Sequence, residues 1–117
     1  MSNPVVHFEI SGNDPAKLWQ FYARVFGWNI NSDNPMNYGL VEAGDRGIGG
    51  GIGQGPPQTT FYIEVDDPKA FLANVESAGG RVVQDVQSIP GMVTFAQFAD
   101  PEGNLVGLVA SETPSAG

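Results

Sequence analysis

Two short stretches of this 117-residue chain place ionisable side chains on alternate positions of a strand-like pattern. In the first, apolar residues alternate with His7 and Glu9, and in the second they alternate with Tyr62 and Glu64. Successive side chains of a strand point to opposite faces, so each polar pair is predicted to face away from its apolar neighbours. An imidazole, a phenol and two carboxylates so placed could bind a ligand or transfer protons, and the imidazole could ligate a metal if further ligands join it.

The elements that must position these side chains form a repeated pattern. Each strand pattern is followed by an Asp-Pro pair, Asp14-Pro15 or Asp67-Pro68, in which Asp suits the N-cap of a helix and Pro its first position. Apolar residues then recur at helical spacing, and a glycine, Gly27 or Gly80, follows each aspartate by 13 positions. Gly27 is predicted to end the first helix, and the pair Gly79-Gly80 the second. The predicted apolar faces are Leu18, Phe21, Tyr22, Val25 and Phe26 in the first helix, and Phe71, Leu72, Val75 and Ala78 in the second.

Short strands are predicted after each helix, so that both halves read βαβββ. The chain is therefore predicted to be one α+β domain of two tandem modules, with about 50 residues to a repeat. The predicted bounds are about 4–53 for the first module, 54–58 for a linker rich in Gly and Pro, about 59–110 for the second module and 111–117 for a flexible tail.

Composition excludes several classes of function. The formal net charge of −8 gives no basic stripe for nucleic acid and weakly favours neutral or cationic partners. The absence of cysteine excludes disulfides and thiolate metal sites. No apolar run is long enough to cross a membrane, and the first four residues do not read as a signal peptide, so a cytoplasmic protein without a membrane partner is expected.

The glycine-rich run Gly47–Gly53 does not fit a phosphate-binding loop. Such a loop needs a helix N-terminus directly after it, whereas Gly55-Pro56-Pro57 follows this run and no lysine is near. We interpret the run as a strand whose backbone a ligand or a second subunit can approach closely.

The whole arrangement resembles the vicinal oxygen chelate superfamily, which includes glyoxalase I, extradiol dioxygenases and bleomycin-binding resistance proteins. The resemblance covers nearly the whole chain and implies a curled mixed sheet, or open barrel, around a cavity with the helices outside. The motifs that carry it are His7-Phe8-Glu9-Ile10, Asp14-Pro15, Phe21-Tyr22, Val25-Phe26-Gly27-Trp28, Ile63-Glu64-Val65-Asp66-Asp67 and Asp100-Pro101-Glu102-Gly103-Asn104.

The resemblance also implies where metal ligands would lie, and this chain departs from the family there. The positions that match the ligands are His7, Gly51, Tyr62 and Gly107, with the register at Gly51 least fixed. Glycine offers no side-chain donor and a protonated phenol is a poor ligand, so His7 alone remains of the set. We therefore expect no metal and no other cofactor.

Two classes of function fit the remaining residues. The first is a metal-independent protein that binds a small, cationic organic molecule through His7, Glu9, Tyr62 and Glu64, with Phe95 and Gln97 added by strand alternation. The second is a cofactor-free lyase, isomerase or hydrolase in which Glu9 or Glu64 acts as general base and Tyr62 or His7 donates to an oxyanion. A metal-dependent glyoxalase or dioxygenase is disfavoured, and a purely structural role of the glutamates stays open.

The resemblance further implies a homodimer. The barrels would close either within one chain or by exchange of modules between chains, and the short, proline-containing linker permits exchange. Between these arrangements the sequence does not choose.

Overall fold

The computed structural model describes residues 2–111 and divides the chain into two compact units. The first unit comprises Val6–Phe61, and the second begins at Tyr62 and also includes residues 2–5. Within the described residues, no helix is long and apolar enough to cross a lipid bilayer.

The first unit is a small mixed sheet with one helix. Its strands lie in the order β2-β3-β4-β1; β1 pairs in parallel with β4, and the other neighbours are antiparallel. In chain order the elements are β1 (Val5–Gly12), α1 (Pro15–Phe26), β2 (Ile30–Asn31), β3 (Gly39–Val41) and β4 (Gly49–Gln54).

The second unit repeats this topology. Its strand order is β5-β8-β7-β6, with β5 parallel to β8 and the other pairs antiparallel. The elements are β5 (Gln58–Val65), α2 (Pro68–Ser77), β6 (Arg81–Ile89), β7 (Val93–Ala99) and β8 (Leu105–Ala110). The prediction of an α+β chain with two βαβββ modules is thereby confirmed.

The predicted helix starts are confirmed, and the predicted glycines follow the ends of both helices. The carboxylates of Asp14 and Asp67 accept hydrogen bonds from backbone N–H groups in the first turn of each helix, at 3.4 and 3.3 Å. Helix α1 ends at the predicted Gly27, which has φ = 71°. Helix α2 already ends at Ser77, and Gly79 with φ = 102° is the left-handed residue that follows.

The predicted apolar face of α2 packs at Phe71 and Leu72, whereas Ala78 lies beyond the end of the helix and is exposed. The face of α1 also packs only in part. Phe21, Val25 and Phe26 are 54%, 54% and 60% exposed. The indole of Trp19 turns towards the sheet instead, fills the space beside Gly39 and donates from Nε1 to a β4 carbonyl at 2.9 Å. In the second unit, the core consists of Val65, Leu72, Ala96 and Leu108, packed against Ile63, Phe71, Val82, Val86 and Phe98.

The segment between β4 and β5 is shorter than predicted, because strand pairing extends into both ends of it. Only residues 55–57 lie outside the strands. The Gly55 N–H donates to the carbonyl of Gly12 at 3.0 Å, and the Ser11 hydroxyl donates to the carbonyl of Pro56 at 2.6 Å. The linker is therefore fixed to the end of β1. Residues 112–117 of the predicted tail lie outside the described residues.

Candidate functional site

The two faces of β1 are separated as the alternation predicts. The Phe8 ring lies over Gly50 of β4 and near Trp28, with ring centroids 5.3 Å apart. His7 and Glu9 are half-buried and point to the other face of the strand.

A tyrosine that the sequence analysis did not select joins these two residues. The Tyr38 hydroxyl donates to Glu9 Oε2 at 3.0 Å and also lies 3.0 Å from His7 Nε2. The rings of His7 and Tyr38 are nearly parallel, with 14° between their planes and 6.5 Å between centroids. The three side chains thus form one hydrogen-bonded cluster.

Tyr38 also explains the glycine-rich strand. A Cβ at Gly51 would overlap the Tyr38 ring and hydroxyl, and one at Gly53 would come within 2.8 Å of the same ring. On the opposite face, a Cβ at Gly50 would come within 2.5 Å of Phe8. Within the described residues, the rings of Tyr38 and Phe8 lie close to the β4 glycines. Close approach of a ligand or a second subunit to that backbone stays a prediction.

Burial controls the protonation of His7. Desolvation lowers the pKa of His7 below its ordinary value of 6.5, and the nearby Glu9 partly offsets this by favouring the cation. The imidazole is therefore neutral at pH 7 and carries one proton on one of its two nitrogens.

The second unit contains a related arrangement around Tyr62. This side chain is only 6% exposed, and its ring occupies the space above Gly107, where a Cβ would overlap it. The Tyr62 hydroxyl accepts a hydrogen bond from Gln97 Nε2 at 2.9 Å. Tyr62 and Gln97, which the sequence analysis named separately as ligand-binding residues, are thus hydrogen-bonded to each other.

Two further predicted residues share this face by strand alternation. Strand β8 pairs with β5 on one side and with β7 on the other. Its residue Val109 lies opposite Glu64 of β5 and opposite Phe95 of β7. Glu64 is half-buried, and within residues 2–111 its carboxylate has no hydrogen bond or ion pair.

Matching His7 and Glu9 to Tyr62 and Glu64 in the sequence predicts that the two glutamates occupy equivalent positions of the repeat. The register shows that this prediction is wrong. Strands β1 and β5 begin 53 residues apart, at Val5 and Gln58, and the helices that follow them begin 53 residues apart as well. Glu9 therefore corresponds to Tyr62, and Ser11 corresponds to Glu64. The ladders agree, since Glu9 lies opposite Gly51 and Tyr62 opposite Gly107.

A divalent metal does not fit the residues at the family's ligand positions. A longer side chain at Gly51 or Gly107 would collide with Tyr38 or Tyr62, and His7 is already hydrogen-bonded. Among residues 2–111, no three His, Asp or Glu side chains are grouped so that they could hold a metal ion.

Two open pockets lie away from these clusters. One of about 390 Å³ surrounds the hairpin between β6 and β7 and includes Met92. The other, of about 470 Å³, is lined in part by Phe8, Trp28 and Glu42 on the helix side of the first unit. Neither pocket is lined by the predicted site residues.

Comparison with known proteins assigns the family. The profile of the glyoxalase-like domain matches residues 7–109. A glyoxylase-like domain-containing protein of Didymella fabae is 32% identical over 120 residues, which cover 86% of this chain and 91% of that protein. The protein CFP32 of Mycobacterium bovis, described as a glyoxylase, is 31% identical over 102 residues that cover 81% of this chain. This chain spans 39% of the length of CFP32.

Solved structures agree on the fold. A glyoxalase/bleomycin resistance protein/dioxygenase superfamily member from Vibrio splendidus 12B01 superimposes with a TM-score of 0.66 and 17% identity, covering 94% of this chain and 100% of that chain.

Proposed function

The chain belongs to the glyoxalase-like domain family of the vicinal oxygen chelate superfamily, and we propose that it binds a small cationic organic molecule without a metal. The observation that carries the proposal is the pair of tyrosine rings over Gly51 and Gly107. They fill the space of the missing metal ligands with side chains that offer hydrogen bonds and aromatic surface. A cytoplasmic location and a small-molecule partner are part of this proposal.

The proposed binding residues are those that the structure groups on the polar faces of the two units. In the first unit, Glu9 supplies a carboxylate for an amine or other cation, and His7 and Tyr38 hold it in place. In the second unit, Glu64 supplies a half-buried carboxylate on the same face of β5 as Tyr62. The net charge of −8 favours the approach of a cation.

Elemental analysis of purified, dialysed protein tests the metal part of the proposal. We expect no stoichiometric Zn, Ni, Fe or Mn, and no difference in metal content between wild type and His7→Ala. A stoichiometric metal that survives dialysis and disappears in His7→Ala would contradict the proposal.

A thermal-shift screen tests the ligand part. Amines and quaternary ammonium compounds should raise the melting temperature, and neutral compounds of the same shape should raise it less. The shifts should be the same with and without a chelator. Compounds that raise the melting temperature only after a divalent ion is added would contradict metal-independent binding. A preference for anions would contradict the proposal that the ligand is a cation.

A cofactor-free enzyme is the second candidate, and two observations favour it. Tyr38 orients Glu9 by a hydrogen bond, as a general base requires, and a relative at 31% identity bears the name of an enzyme. In this reading Glu9 or Glu64 removes a proton from the carbon next to a carbonyl, and Tyr62 donates a hydrogen bond to the enolate oxygen. His7 is the other candidate donor, but it can donate only after its contact with Tyr38 is broken.

Deuterium exchange distinguishes the candidates. Carbonyl compounds with acidic C–H bonds are incubated with the protein in D2O, and loss of the proton signal is followed by NMR. Exchange that is abolished by Glu9→Gln or Glu64→Gln supports an enzyme. Binding without exchange across such a panel supports the binding protein.

A further inference from the structure

We infer that Tyr38 is a positioning residue that fixes His7 as the neutral tautomer with its proton on Nε2, and thereby joins His7 and Glu9 into one unit. The inference deepens the proposed function, and rests on it only in treating His7 and Glu9 as part of the ligand site.

Tyr38 is held in place independently of the two residues that it joins. Its ring lies flat against the backbone of β4 at Gly51 and Gly53, with no side chain on that face of the strand to displace it. Its backbone is fixed by Asn34, whose Nδ2 donates to the Tyr38 carbonyl at 2.6 Å and whose Oδ1 accepts from the Tyr38 N–H at 3.4 Å. The hydroxyl therefore has a defined position against which the others are oriented.

The direction of the hydrogen bonds follows from the number of protons. A phenol has one proton, and an ionised carboxylate can only accept. The Tyr38 proton therefore lies between the hydroxyl oxygen and Glu9 Oε2, at 3.0 Å. The contact of 3.0 Å to His7 then requires the proton to be on His7 Nε2, because the phenol has no second one to donate.

Two consequences make this arrangement more than packing. In the chain from His7 through Tyr38 to Glu9 each bond polarises the next, so removal of the hydroxyl alone affects both ends. In addition, an ion that binds at Glu9 alters the donation by Tyr38 and hence the bond to His7. His7 thus senses the occupancy of Glu9.

The chain contains a single histidine, so its tautomer can be measured without ambiguity. Protein labelled with ¹⁵N-histidine is studied at about pH 8, above the ordinary histidine pKa of about 6.5. Protonated and unprotonated ring nitrogens of a neutral imidazole resonate far apart, and their couplings to the ring protons identify each nitrogen. We expect wild type to show Nε2 protonated and Nδ1 unprotonated.

The Tyr38→Phe variant removes the hydroxyl and keeps the ring over the glycines. We expect it to lose the single-tautomer pattern, with both nitrogen resonances moving towards each other. Tyr22→Phe is the matched control, since the Tyr22 ring stacks on Trp28 at 4.9 Å in the same unit, and it should leave the His7 spectrum unchanged.

Two results would overturn the inference. One is a wild-type protein with the proton on Nδ1, or with mixed tautomers; this measurement needs no variant and does not depend on how well one folds. The other is a His7 spectrum that Tyr38→Phe does not change. Neither result involves a ligand. The inference about Tyr38 can therefore fail while the ligand screen succeeds, and it can hold while the screen finds no ligand.

Discussion

At the residue scale, Glu9 is the side chain on which the proposed function depends most. Its carboxylate is oriented by Tyr38, and a glutamine can still accept that hydrogen bond through its amide oxygen. We expect Glu9→Gln to leave the melting temperature nearly unchanged. We expect it to weaken a cationic ligand from the screen by about 1.5 to 3 kcal/mol, or roughly tenfold or more, in a calorimetric titration.

The corresponding change in the second unit provides the comparison. Glu64→Gln should weaken the same ligand by a similar factor if both carboxylates contact it, and the double variant should be markedly non-additive only if they contact the same group. A Glu9→Gln protein that loses several kcal/mol of stability but binds with unchanged affinity would make Glu9 a structural residue.

His7 should also make stability depend on pH. Burial lowers its pKa in the folded state below the ordinary 6.5, so the unfolded chain binds a proton more readily. The contribution of His7 to the free energy of unfolding should therefore be fully present above pH 6.5. It should be lost as the pH falls from there towards the lower pKa of the folded state. Denaturant unfolding at several pH values checks this, with His7→Gln as control, because that variant should lack this part of the decline.

At the element scale, β4 depends on glycine because rings occupy both of its faces. Gly51→Ala should destabilise the protein by about 1 to 3 kcal/mol, since the new methyl group would overlap the Tyr38 ring. Gly44→Ala is the control, because no heavy atom lies within 4 Å of a Cβ there and its φ is not positive. The loss should largely disappear in a Tyr38→Ala background; an equal loss with and without the ring would exclude this explanation.

The turn between β7 and β8 gives a prediction for acidic pH. Asp100 accepts hydrogen bonds from Asn104 Nδ2, from the Asn104 N–H and from the Glu102 N–H, each at 2.9 Å, and these lower its pKa below the ordinary 3.8. Its contribution to stability is thus present above that value and is lost as the pH falls through the lower folded pKa. The difference in melting temperature between wild type and Asp100→Ala should shrink on acidification, and a constant difference would contradict this assignment.

The elements also show which features the sequence could predict. The two Asp-Pro caps and the alternation of β1 and β5 are local signals, and they predicted the helix starts and the polar faces. Tyr38 could not be selected in this way, because it lies just before β3 and folds back over a strand that is distant in sequence. Glycines at consecutive positions of a strand were the available signal, since a backbone without side chains leaves room for rings on both faces.

The register of the repeat follows from the two Asp-Pro caps, Asp14 and Asp67, which lie 53 residues apart, and not from the residue types along the strands. Matching His7-x-Glu9 to Tyr62-x-Glu64 by residue type places two carboxylates at equivalent positions, whereas the strand and helix bounds require a different alignment. A shift by two residues keeps every side chain on its face. Alternation alone therefore cannot detect it.

At the scale of the whole molecule, we predict a homodimer. Sedimentation at micromolar concentration should give a particle of twice the 12.4 kDa chain mass, and a monomer alone would refute the prediction.

The linker 55–57 bears on how such a dimer is built, because it is fixed to the end of β1 through Gly12 and Ser11. If modules are exchanged, two subunits can separate only when each module leaves the module of the other chain with which it closes a barrel. Tagged and untagged dimers should then mix only as slowly as the protein unfolds, whereas dimers of closed chains should mix at their rate of dissociation. Comparing the mixing rate with the unfolding rate in the same buffer therefore distinguishes the two assemblies.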